Sequence, residues 1–268
     1  MKFPYFHVDA FASAAFRGNP AGVCLLDAWL DDATLLNIAA ENKHSETAFL
    51  VARGADYELR WFTPAVEMDL CGHATLAAAF VVFTHVDRQR SFLRFHSRSG
   101  ELTVTRGGDV LTLDFPSRPG APCDVAPELL SALGASPCEV LKSRDLLAVF
   151  VNEADVRALK PDFAAMRTLD CLGVIATAPG SDCDFVSRFF APAGGVDEDP
   201  VTGSAHCTLI PYWAQRLGKS KMFARQISQR GGELFCELAG DRVRIGGQAV
   251  LYLRGEIEME NAAGSGQS

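Results

Sequence analysis

The feature that most limits how this chain can fold is a passage written twice. Residues 60–75 read RWFTPAVEMDLCGHAT, and residues 188–206 read RFFAPAGGVDEDPVTGSAH. Each runs through an arginine, two aromatics, a small residue, a proline and a loop, and ends in Gly-x-Ala opening an apolar stretch. The two arginines, Arg60 and Arg188, stand 128 positions apart in a chain of 268, so the offset is close to half the length. The flanking elements come in the same order both times, which points to an internal duplication rather than a chance match.

In the first half, alternation predicts strands over 3–11, 22–26, 47–51 and 57–62. A helix runs from Asp31 and Asp32 to about Asn42, with Leu35, Ile38 and Ala39 on one side. Residues 74–84 are apolar all round and predict a buried helix. Strands over 92–97, 101–106 and 110–115 then form a meander. Pro116, Pro119, Gly120, Pro122 and Pro127 crowd into a linker. In the second half, strands are expected over 146–151, 174–178, 185–190, 223–229, 234–239, 242–245 and 250–254. Residues 153–166 read as helical with a break at Pro161. Residues 203–217 read as a helix kinked or shortened at Pro211. The expected fold is α+β: two pseudo-symmetric halves, each a mixed sheet or open barrel around one central helix. The expected boundaries are 1–117 and 126–260, with 118–125 as linker and 261–268 as a flexible tail.

Composition narrows the functional classes. The formal net charge is −8 and the basic residues are scattered, so a nucleic-acid partner is not expected. No stretch has the roughly 18 apolar residues of a membrane span, and the N-terminus lacks the pattern of a signal peptide. The eight cysteines show no C-x-x-C, which suits reduced thiols and a cytoplasmic setting. Nucleotide-binding glycine motifs are absent and no cofactor is expected. Cys71 and His73 have no second Cys/His pair at ligand spacing, so no metal is expected either.

Chemistry concentrates at the two repeated turns. Gly72 and Gly203 each stand where a loop becomes a helix, and the first N–H groups of a helix lack internal partners and attract anions. His73 follows the first glycine; Asp199 precedes the second and Ser204 follows it. Glu46 opens an otherwise apolar strand, where burial should raise its pKa toward the ~6–7 useful to a general acid/base. Cys71, beside a helix start, is expected to have a lowered pKa.

The segments HVDAFASAAFRGNPAGV, HSETAFLV, FTPAVEMDLCGHAT and DEDPVTGSAH together resemble the PhzF-like isomerase family of phenazine biosynthesis, over essentially the whole chain. The resemblance implies the diaminopimelate epimerase-like fold. It implies a catalytic glutamate at Glu46, assisted by His73 and Asp199, and substrate contacts at Gly72, Gly203, Ser204 and, in the GNP loop, Asn19. The implied function is cofactor-independent proton movement on a small carboxylate-bearing metabolite, and a homodimer is the expected assembly. Cys71 and Ala74 depart from the founding phenazine enzyme's turn, so the resemblance reaches the family and not that substrate. Two alternatives remain at this level. One is a two-thiol epimerase or racemase, for which the second turn offers Pro200 and Val201 where a thiol is needed. The other is a small-molecule binder without catalysis.

Overall fold

The computed structural model describes residues 1–260; the tail expected over 261–268 lies outside the described residues. The helices, in chain order, are α1 (Asp32–Asn42), α2 (Gly72–Val81), α3 (Pro127–Leu133), α4 (Glu153–Ala158), α5 (Phe163–Met166) and α6 (Gly203–Leu217). The strands join into one continuous mixed sheet.

The duplication extends to the hydrogen-bond pattern. In the first half Asn19–Leu26 runs parallel to Glu46–Arg53, that strand pairs antiparallel with Asp56–Phe62, and Asp56–Phe62 runs parallel to Phe92–Ser97. The second half repeats this with Leu146–Val149, Val174–Pro179, Phe185–Ala191 and Lys221–Gln226. A parallel pair needs a crossover, and helices supply it: α1 and α2 in one half, α4–α5 and α6 in the other. The halves meet where Val110–Pro116 pairs antiparallel with Arg242–Gly247.

Period-two alternation sorts each strand between two layers. Ala48, Leu50 and Trp61 turn inward to the core around α2, whereas Phe49 and Phe62 turn outward to Leu35, Ile38 and Ala39 of α1. In the second half Ile175 and Phe189 face inward, and Val174, Ala176 and Phe190 pack beneath α3–α5. α2 is buried along nearly its whole length, and this enclosure explains its apolar sequence on every face. It begins at Gly72 and gives way after Val81 to a π-helical turn, Val82–Val86. α1 begins as expected, with the Asp31 carboxylate accepting the Thr34 N–H at 3.0 Å.

Four features differ from the sequence reading. Pro127 does not end a linker but opens α3, where its fixed φ and missing N–H carry no cost; a strand, Glu139–Lys142, follows. α6 is not shortened at Pro211. The carbonyl that a residue at 211 would have bonded, that of Cys207, accepts the Arg118 N–H at 2.8 Å instead, so the helix continues to Leu217. Within the expected linker, Ala121–Pro122 pairs with Leu141 and Lys142. Finally, Ala249–Glu258, expected with the second half, runs antiparallel along Lys2–Ala10. The final strand of the second half thus completes the sheet of the first, as the linker pairs with the first strand of the second.

Candidate active site

The repeated arginines build the same clamp twice. Arg60 donates to both carboxylate oxygens of Glu67, each at 2.7 Å, and lies 5.0 Å over Phe62. Arg188 donates to Glu198 at 2.7 and 2.9 Å and lies 4.8 Å over Phe190. These forked, partly buried pairs pin the loops that lead into α2 and α6. Sequence alignment of the two passages exposed the arginines but not their acidic partners, which sit at different spacings, seven and ten residues on.

The two helix starts then come together at the centre of the molecule. A Cβ built on Gly72 would lie 3.3 Å from Gly203 Cα, and one built on Gly203 the same distance from Gly72 Cα. Any larger residue at either turn would press on the other turn's backbone, so close backbone approach favours glycine at both. Neither N-cap residue, Cys71 nor Thr202, caps its helix through its side chain, so the leading N–H groups stay available as anion donors.

Around these turns lies a cavity of about 100 Å³, walled by both halves and including Glu46, His73, Asp199, Gly72, Gly203 and Ser204. Glu46 opens the strand Glu46–Arg53, beside Ala21 on the neighbouring parallel strand. Its Oε2 lies 3.2 Å from His73 Nε2, but the pair is not aligned as a hydrogen bond, and Oε2 has no hydrogen-bond partner among the described residues. Across the cavity the Asp199 carboxylate accepts from the Thr202 hydroxyl at 2.5 Å and from the Asn19 amide at 2.7 Å. Gln226 holds this loop, accepting the Thr202 N–H at 2.9 Å and donating to the Asp199 carbonyl at 2.7 Å. Nothing in the sequence singled out Gln226; its role depends on a strand that pairs only in three dimensions.

Asn19, expected at the substrate, is fully buried and stands behind the cavity wall. Its amide nitrogen reaches Asp199, the Val201 carbonyl at 2.9 Å and His73 Nδ1 at 3.1 Å. Two hydrogens serve the two shorter contacts. This placement makes Asn19 a bridge between the halves that positions His73 and Asp199. The preceding Gly18, at φ +66°, has no room for a Cβ, which would fall 2.1 Å from the Ala10 carbonyl oxygen. Its loop is tied down by the Gly231 carbonyl and by the Arg230 guanidinium, which also reaches buried Asp9 at 2.8 Å.

The charges diverge from expectation. Burial alone would raise the Glu46 carboxyl, but the adjacent His73, with Ser45 and Cys71 beside it, outweighs burial and holds Glu46 below its ordinary value. Burial likewise opposes charge on His73, yet Cys71 and Glu46 together hold the imidazole above its usual pKa. The raised carboxyl is instead Asp199: burial, reinforced by the Glu46 charge, lifts it to about 6. The Cys71 thiol is not activated, because burial, with Glu46 beside it, pushes it up to about 11. One carboxylate is thus kept charged and another is shifted toward its protonated form across one cavity, a split suited to acid/base chemistry.

Glu46, Cys71 and His73 also bring three donor atoms within 4.8 Å of one another, enough for part of a metal's ligand set. Cys/His spacing could not reveal this, since Glu46 comes from another element. The other thiol needed for two-thiol chemistry is not at the second turn. Thr202 occupies the N-cap position matching Cys71, and Cys207 is buried a turn farther along α6.

Strand register identifies the symmetry mates of the two carboxylates. Phe49 pairs with Arg60 as Ala176 pairs with Arg188, so Glu46 matches Gly173. Trp61 pairs with Met68 as Phe189 pairs with Asp199, so Asp199 matches Met68.

Comparison with known proteins agrees with this architecture. A family model described as phenazine biosynthesis-like protein matches residues 8–255. An uncharacterized isomerase of Pseudomonas aeruginosa is 54% identical over 259 residues, covering 97% of this chain and all of the relative. A crystal structure of a PhzF-family protein from Enterococcus faecalis superimposes with a TM-score of 0.95 at 49% identity, covering 97% of this chain and all of the other. A probable proline racemase from Agrobacterium radiobacter K84 shares the fold, with a TM-score of 0.65 at 11% identity over 98% of this chain and 94% of its own. Among the described residues no helix is long and apolar enough to cross a membrane. A family match across residues 8–255, with a relative named as an isomerase at 54% identity along its whole length, shows that the chain belongs to the PhzF-like family of isomerases.

Proposed function

We propose that this isomerase moves a proton between two carbons of a small, conjugated, carboxylate-bearing metabolite, using its own side chains for acid/base work. The observation that carries the reading is the split between Glu46, held ionised by His73, and Asp199, lifted to about 6, across one cavity. Glu46 takes a proton from a substrate carbon. The electron pair left behind spreads toward the substrate carboxylate, and the N–H groups at the starts of α2 and α6 stabilise that charge. A proton then returns to a different carbon, from Glu46 or from Asp199, so substrate and product have the same composition. His73 holds Glu46 in its basic form, and Asn19 keeps the two sides in register.

The test is solvent exchange. Conjugated carboxylates incubated with the protein in heavy water should gain deuterium at carbon, read by mass. Glu46→Gln should reduce the exchange by roughly 10²–10⁴-fold while binding persists, because the amide keeps the shape and loses the base. Exchange at the parent rate in Glu46→Gln would end this mechanism.

A further inference from the structure

The catalytic cavity continues into a larger one. This outer cavity, about 520 Å³, lies at the seam between the halves and shares Met68, Leu70, Arg144 and Leu172 with the inner one. Three arginines line it, Arg118, Arg144 and Arg242, a concentration of positive charge in a chain whose net charge is −8. Their charges act together: burial pushes the Cys207 thiol up to about 11, and all three arginines oppose that shift.

Their counter-charges are incomplete. Arg242 donates to Asp114 at 2.6 Å. Arg144 lies 3.9 Å from Asp145, whose Oδ1 has no hydrogen-bond partner among the described residues. Burial pushes Asp145 up despite Arg144 and Arg118. Arg118 makes no side-chain ion pair among the described residues, although its backbone is fixed through the Cys207 carbonyl at 2.8 Å and the Ser143 hydroxyl at 3.3 Å. The carboxylates that also line this cavity, Asp69 and Glu101, are exposed, and Glu101 lies 3.3 Å from Arg94. A partly buried guanidinium on a fixed backbone, without a carboxylate of its own, is suited to a forked contact with an anion.

We propose that the outer cavity is an anion subsite, where Arg118 and Arg144, backed by Arg242, receive a second anionic group of the substrate, a phosphate or a second carboxylate. The inference rests on the reading of the inner cavity as the place of proton transfer. It defines the substrate class as a molecule with anionic groups at two places, one held at the helix starts and one at the seam.

Inorganic phosphate probes the subsite without the rest of a substrate, and the arginine variants separate binding there from binding at the helix starts. In calorimetric titrations the parent chain and Glu46→Gln should bind phosphate equally, and Arg118→Gln with Arg144→Gln should bind it roughly tenfold or more weakly. Arg118→Lys should keep part of the affinity. The single Arg118→Gln serves as the test if the double variant does not fold. A series of ω-phosphonocarboxylates should bind the parent more tightly than alkanecarboxylates of equal length, and Arg118→Gln should erase that gain. Phosphate binding that is undetectable in the parent, or unchanged in the arginine variants, would overturn the subsite. So would equal affinity of the two ligand series at every length. Failure of the proton-transfer reading appears separately, as absent solvent exchange with phosphate binding intact.

Discussion

Glu46 and Asp199 are carboxylates from opposite halves of a duplicated chain, yet neither has a carboxylate for a mate. The position matching Glu46 is Gly173, and the position matching Asp199 is Met68. Gly173 could not carry a side chain, because a Cβ there would lie 2.4 Å from the Phe189 ring. The histidines also fall at unmatched positions: with Gly72 set on Gly203, His73 matches Ser204 and His206 matches Thr75. His73 at the start of α2 is held toward its charged form by Cys71 and Glu46, while His206 in α6 is pushed down to about 4 by burial and contacts the Thr202 carbonyl at 2.8 Å. The arginine clamps and glycine turns, by contrast, appear in both halves. Duplication thus kept the scaffold double and left each cavity carboxylate single; on the proposed mechanism the base lies in one half and an acid in the other.

The largest test of that division is activity. Glu46→Gln and Asp199→Asn should both depress exchange, and Glu46→Gln the more, by roughly 10²–10⁴-fold; a comparable loss on mutating Met68 would break the asymmetry. Next comes the shared scaffold. Gly72→Ala and Gly203→Ala should each destabilise the protein by about 1–3 kcal/mol, since each Cβ meets the other turn's backbone. Urea unfolding should show similar costs and a non-additive double variant; one glycine tolerant and the other not would show that the turns are not equivalent.

Stability against pH separates the two carboxylates by sign. The Asp199 pKa is raised to about 6 in the folded state, so the parent loses stability as pH rises through that value. Asp199→Asn escapes the loss and should be more stable at pH 8 by about 1–3 kcal/mol, the advantage shrinking as pH falls below about 6 and gone near the ordinary carboxyl pKa of about 4. The Glu46 pKa is lowered, so its contribution is present at neutral pH and lost in acid. Glu46→Gln should therefore destabilise at neutral pH. Chemical denaturation across pH checks both, and parallel curves would refute the charge assignment. The smallest effect belongs to Cys71, whose thiol is neutral near pH 7. Cys71→Ser should keep activity within about tenfold of the parent; a loss matching Glu46→Gln would restore a role for sulfur.

Local patterns were readable in the sequence and long-range consequences were not. The α1 start at Asp31, the buried α2 and the glycine turns follow from capping, composition and repetition. Pro127 and Pro211 misled because a proline's effect depends on whether its N–H is needed and on what satisfies the freed carbonyl; the Arg118 N–H that serves Cys207 comes from 89 residues earlier. Glu46 was recognised as a titrating group, but the direction of its shift was set by His73, on another element. The GNP motif drew attention to Asn19; only the meeting of three segments shows it as a bridge.

The pairing of the last strand with the first bears on how the molecule is made. Lys2 finds its partner at Glu258, and the amino terminus closes on the Met259 carbonyl at 2.6 Å. During synthesis the sheet of the first half lacks this neighbour until almost every other residue has been added. Until then Lys2–Ala10 presents an unpaired edge, a template for wrong pairing with other chains, and closing so distant a contact is slow. Neither half is therefore expected to fold in its own right. Removing the final strand would injure the half at the far end of the sequence, and cooperative unfolding of the two halves as one body is the expected signature.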